Sequence, residues 1–182
     1  IDFHFCSDPQ QALSLAWYAQ RKPVFTGGNE VRLLRGGDEL FPDLRASIDR
    51  ARSVVWMAFY MLNDNGLPGT VLQALMRAAR RGVVVHLVVD GVGSRDAPQS
   101  VWNELRSAGV QLEAYRPVRQ WWGLLEPGQW RRMHVKLCVI DQEVGYIGGI
   151  NLIDDRYDLG HGWCDAPRLD YAVAVKGPAI TP

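Results

Sequence analysis

Two almost unbroken apolar runs, residues 53–62 (SVVWMAFYML) and 83–90 (VVVHLVVD), limit what this chain can fold into more than any other feature. Each is too short for a buried helix and rich in β-branched or aromatic residues. Each therefore reads as a strand covered on both faces, as in the interior of a parallel sheet. Between them, residues 69–81 place Leu72, Leu75, Met76 and Ala79 at helical spacing, with Gly82 as a stop signal. Strand, helix, strand at this spacing is a parallel crossover unit. The same alternation extends outward. Residues 31–35 form a short strand, and Asp38 caps a helix to about residue 52 with Leu40, Leu44, Ile48 and Ala51 on one side. A helix over 98–108 and strands over 110–115 and 168–175 follow. The expected fold is α/β, a mixed, mainly parallel sheet flanked by helices, and the 182 residues suffice for one domain with a proper core. There is no internal repeat or low-complexity segment.

The chemistry concentrates in residues 131–151, RRMHVKLCVIDQEVGYIGGIN. Alternation puts Met133, Val135, Leu137 and Val139 on one side of a strand and His134, Lys136, Cys138 and Ile140 on the other. Imidazole and ammonium then share a face roughly 6.6 Å apart. Two cation-forming groups in such a place need a partner, and an anion would serve both. His134 could reach a phosphorus while Lys136 holds a non-bridging oxygen. Asp141 has the opposite parity and opens an Asp-Gln-Glu turn, so a hairpin over 133–147 is expected, with Asp141 closing the strand. Gly148 and Gly149 would let backbone approach a ligand, and Asn151 could offer an amide N–H to the same oxygens.

Taken together, His134-x-Lys136-x4-Asp141-x6-Gly148-Gly149-x-Asn151 resembles the HKD motif of the phospholipase D superfamily. The flanking Arg131-Arg132 and Tyr146-Ile147-Gly148-Gly149 are most similar to bacterial cardiolipin synthases without membrane-spanning helices. The resemblance runs from about Asn29 to Pro178. It implies a catalytic half-domain over 29–178, a 1–28 extension of unclear role, and the start of a truncated connection at 179–182. It implies a phosphatidyltransferase acting on a phosphatidylglycerol-like phospholipid through a phosphohistidine, with no metal or other cofactor. His134, Lys136 and Asp141 are its catalytic set and Asn151 and Gly149 its phosphate contacts, although parity makes Asp141 look structural. Ser94, in Asp90-Gly91-Val92-Gly93-Ser94 at a strand's C-terminal end, is expected near the pocket. The family pairs two HKD motifs, and only one is present here, since His161 has no Lys two residues on. The partner is either a second HKD half in the same full-length chain or a second copy in a homodimer. The Gly177-Pro178 ending favours the former. The alternative function is a homodimeric single-motif phosphodiesterase or nuclease.

Lys plus Arg and Asp plus Glu number 20 each, and a net charge of zero makes nucleic acid an unexpected partner. A local basic block, Arg116, Arg119, Arg131, Arg132 and Lys136 against Glu126, could steer an anionic substrate or could be a solvated surface. In the same stretch, Trp121 and Trp122 either enter the headgroup region of a membrane or pack over the sheet edge or a partner domain. The expected location is the cytoplasmic side of the bacterial cell membrane, held peripherally. Cys6, Cys138 and Cys164 suit neither a disulfide framework nor a zinc site, and Cys138 reads as a small buried hydrophobe. His86, mid-strand, reads as a core histidine. Residues 10–21 have helical spacing at Leu13, Ala16, Trp17 and Gln20, and 22–29 read as a linker.

Overall fold

The computed structural model describes residues 26–117, 132–158 and 160–180. Along the chain they form β1 (Glu30–Arg35), α1 (Gly36–Arg50), β2 (Val54–Phe59), α2 (Leu67–Arg80), β3 (Val84–Asp90), α3 (Gln99–Ser107) and β4 (Gln111–Tyr115). The second part comprises β5 (Lys136–Ile140), β6 (Val144–Gly148), the two-residue β7 (Tyr157–Asp158) and β8 (Gly162–Trp163), and β9 (Tyr171–Lys176). Seven strands make one sheet in the order β1-β9-β6-β5-β2-β3-β4, and β7 and β8 pair separately. The expected mixed sheet with flanking helices is present. Parallel pairing is confined to β2-β3-β4, where helices supply the crossovers. β5 joins β2 antiparallel, and the β5–β6 hairpin and β9 extend the sheet to β1.

Each helix turns an apolar stripe onto the same sheet face. Leu40, Leu44 and Ile48 of α1, Val71, Leu72 and Leu75 of α2 and Leu105 of α3 are buried. They meet Val55, Met57 and Phe59 of β2, Val85, Leu87 and Val89 of β3, and Cys138 and Ile140 of β5 in one cluster. Asp38 is not the cap of α1: it lies in the first turn, and Arg35 occupies the capping position without a side-chain bond. The helix start is satisfied from a distance, the Gly37 N–H donating to the Asp155 carboxylate.

The expectation that β2 and β3 are covered on both faces is corrected. The residues of opposite parity stay open among the described residues, with Leu33, Trp56 and Ile147 more than half exposed. Registered pairs make this a continuous row, Leu33 beside Val173, Val173 beside Ile147, Ile147 beside Leu137. His86 belongs to this face rather than to the core. Its ring stacks flat on Trp56, with centroids 3.7 Å apart.

Candidate active site

β5 begins at Lys136, so His134 lies on the extended segment that enters the strand rather than on the strand itself. The two side chains nevertheless meet: Lys136 Nζ is 3.0 Å from His134 Nε2. An ammonium can only donate, so this contact fits a His134 whose Nε2 carries a lone pair. Lys136 is 6% exposed and His134 is exposed, so the cation sits beneath the imidazole at the end of the sheet. Burial pushes the Lys136 ammonium below the ordinary lysine range, and the negative charge of Asp170, at the entry to β9, opposes that.

Tyr60 forms a wall beside both groups. It directly follows β2, where that strand's pairing with β5 ends at Phe59 and Lys136. Its ring centroid is 5.1 Å from that of His134 at a tilt of 59°, and Lys136 Nζ stands 5.5 Å from it. Asn151 is at the same end of the sheet. Its Oδ1 accepts the Met61 N–H at 3.2 Å, which leaves its amide N–H₂ as the donor for a ligand.

The other residues singled out from sequence fall elsewhere. Asp141 closes the opposite end of β5, five residues and roughly 16 Å of strand from Lys136. Its carboxylate accepts the N–H groups of Arg52, Ser53 and Val54 at 2.7, 2.8 and 2.8 Å. Burial pushes its carboxyl upward, but those three donors outweigh it and hold the group below the usual carboxylate range. Its place in a catalytic set is therefore corrected to that of a clamp joining the hairpin turn to the start of β2. The turn itself is left-handed at Asp141 (φ 51°) and Gln142 (φ 58°), which an Asp tolerates well.

Gly149 is also corrected. Its N–H donates to Tyr171 O at 3.0 Å and is not available to a phosphate. A Cβ there would run into the Asp170 carboxylate, and one at Gly148 into Ala172 and the Tyr171 carbonyl. The glycine pair admits β9, not a ligand. Ser94 is buried at 1% exposure behind Tyr60, its hydroxyl donating to Tyr60 O at 3.2 Å, so it supports the pocket wall without lining it. Trp121 and Trp122 lie outside the described residues. Cys138 is fully buried, and burial pushes its thiol far up, as expected of a packing residue. Cys6 is outside the described residues.

Sequence reasoning missed Tyr60, Asp90 and Asp170. Asp90 is completely buried and accepts the Met133 N–H at 2.9 Å, fixing the residue before His134. Its other oxygen accepts the N–H groups of Val92 and Gly93 and lies 3.7 Å from an Arg132 guanidinium nitrogen. An acid ending an otherwise apolar strand was the available signal for Asp90. For Tyr60 and Asp170 the sequence carried none. Among the described residues no cluster of His, Cys, Asp and Glu could hold a metal ion.

The structure thus brings a His–Lys pair on the entry to one strand to the same end of the sheet as an Asn from a neighbouring loop. A family model described as "Cardiolipin synthase, PLD-like domain" matches residues 44–161, and the chain belongs to that family. It is 36% identical over 152 residues to "Cardiolipin synthase A" of Pseudomonas putida and 35% identical over 155 residues to "Cardiolipin synthase B" of Salmonella typhi. Each match covers 84% of this chain but only 31% and 36% of those proteins, so the chain spans about a third of the length of the curated relatives it matches. In fold it is similar to Nuc, a phospholipase D family member from Salmonella typhimurium, with a TM-score of 0.61 at 18% identity, over 82% of this chain and 84% of that one. NucT from Helicobacter pylori gives a TM-score of 0.57 at 15% identity, over 82% and 86%.

Proposed function

We propose that this chain carries one half of the active site of a cardiolipin synthase-type phosphatidyltransferase. The observation that carries the proposal is the Lys136 ammonium, buried against His134 Nε2 with a tyrosine ring beside both. A phosphodiester repels nucleophiles through its own charge, so the site must neutralise its non-bridging oxygens while placing a nucleophile in line. In the free protein Lys136 donates to the imidazole. When a phosphate arrives, the ammonium can turn its hydrogens to an oxygen, which frees the His134 lone pair. Nε2 then attacks phosphorus, a P–N bond forms, and the P–O bond to the departing alcohol breaks. That alkoxide takes a proton from a second acid. The acceptor hydroxyl next attacks phosphorus as its proton passes to the same group, and the P–N bond breaks to restore His134. Asn151 and Lys136 hold the charged oxygens throughout, and the chemistry needs no metal.

The acid has to come from outside these residues. Among the described histidines, His86 stacks on the open sheet face and His161 bonds Asp158 at the β7–β8 hairpin. A second HKD half in a longer chain supplies it in this reading, which the similarity to cardiolipin synthases over a third of their length supports. A second reading, a symmetric homodimeric phosphodiesterase, is favoured by one observation: the chain covers 84% of Nuc and 86% of NucT. No helix among the described residues is long and apolar enough to cross a membrane. In this reading contact with phospholipid is made on the cytoplasmic side, and Trp121 and Trp122, which lie outside the described residues, are the candidate membrane contacts.

The test uses the full-length protein with labelled phosphatidylglycerol. Cardiolipin should form, and His134→Ala should abolish it. Absence of any lipid product, together with cleavage of DNA by the same preparation, would transfer the assignment to the second reading.

A further inference from the structure

The turn Asp90-Gly91-Val92-Gly93-Ser94 has no part in the chemistry above, yet both Ser94 and Gly93 meet one residue, Tyr60. The Ser94 hydroxyl donates to the Tyr60 carbonyl, and the Ser94 N–H donates to Asp90 O. A Cβ on Gly93 would strike the Tyr60 carbonyl and come within 3.0 Å of its ring, so only glycine lets the turn close over this residue. From the other side Asn151 fastens Met61, the next residue along. Asp90 ties the same turn to the N–H of Met133, beside His134. Tyr60 is thus clamped from two directions, and its clamp is joined to the segment that carries the nucleophile.

We infer that Tyr60 is a positioning residue of the phosphate site, its ring holding the Lys136 ammonium and the His134 imidazole against each other until substrate arrives. The electron-rich face attracts the ammonium, and the tilted ring limits the swing of the imidazole. The groups around Lys136 are few. His134 approaches from its own segment, Tyr60 from the end of β2, and Asp170 acts through its charge from the entry to β9. Tyr146 of β6 lines the space beside Lys136 but commits its hydroxyl to Ser47 and Asp43, and α1 contributes only Leu40 and Leu44 there. Tyr60 is therefore the one aromatic face offered to this cation among the described residues. Removing the ring should make the ammonium easier to deprotonate and the imidazole looser.

This inference rests on the phosphatidyltransferase reading, and the experiment separates the two. The pH profile of kcat is measured in the full-length enzyme for the parent, Tyr60→Leu, Tyr60→Phe and His134→Ala, each checked for an unchanged melting temperature. Tyr60→Leu should move the alkaline limb down by about half a pH unit, the size of an exposed cation–π contact. It should also lower kcat on the order of ten-fold with little change in KM. Tyr60→Phe keeps the face and should restore both. A Leu variant with the parent's limb and kcat overturns the inference, as does a Phe variant whose alkaline limb falls by about half a pH unit, whether or not the Leu variant folds. Activity surviving in His134→Ala would instead overturn the reading beneath it.

Discussion

The two ends of β5 carry residues of one motif and do opposite things. At the entry, Lys136 is a buried cation whose partners are another base and an aromatic ring, and burial lowers its pKa. At the exit, Asp141 is an anion surrounded by three backbone donors that stabilise its charge and fasten the turn to β2. One end holds a cation that burial disfavours and the charge of Asp170 only partly offsets. The other is satisfied within the protein itself. Residues close together in sequence can thus form a His–Lys contact at one end of a strand and a structural clamp at the other.

Substitutions can break that comparison. The largest effect should come from His134→Ala, with transferase activity reduced at least on the order of a thousand-fold while thermal unfolding is unchanged. Lys136→Met should lower kcat by about a hundred- to a thousand-fold, as when a transition-state charge ligand is lost, and should leave stability equal or higher because a desolvated cation has gone. A lowered melting temperature for Lys136→Met would show that the entry is built for stability after all. Asp141→Ala should do the reverse. It should cost about 0.5–1.5 kcal/mol in denaturant unfolding, as three exposed or half-buried backbone N–H groups lose their charged acceptor, with activity below the transition within two-fold of the parent.

Two pH tests sharpen the contrast. Asp141 has a folded-state pKa below its unfolded value of about 3.9. Its contribution is therefore complete above that value and fades as pH falls through the lower folded pKa, so Asp141→Ala should differ less from the parent in strong acid than at neutral pH. Asp170 raises the Lys136 pKa, so Asp170→Asn should move the alkaline limb of activity to lower pH, the smallest of these effects. A shift to higher pH would contradict the charge arrangement at the entry.

Much of this arrangement was readable from residue order. The runs that became β2 and β3, the amphipathic spacing of α2 and the Asp-Gln-Glu turn follow from local periodicity, which needs no knowledge of distant parts. The opposite parity of Asp141 likewise separated it from Lys136. What could not be read depends on which strand lies beside which. The glycine pair signals a close approach, but only the pairing of β6 with β9 shows that Asp170 and Ala172 are what approach. Tyr60 comes to His134 because β2 pairs with β5, although the two residues are 74 positions apart. The apolar character of β2 and β3 correctly announced central strands and misjudged their cover, since composition cannot tell a helix-packed face from the open one bearing Trp56 and His86.

The most direct test of this division of labour is to trap the covalent state. The full-length enzyme is mixed with phospholipid labelled at phosphorus, denatured within the turnover time at neutral or alkaline pH where a P–N bond survives, and digested. Label on the peptide containing His134, absent in His134→Ala and retained in Asp141→Ala, is the predicted result. Label that depends on Asp141, or turnover that persists with His134 replaced, would contradict it.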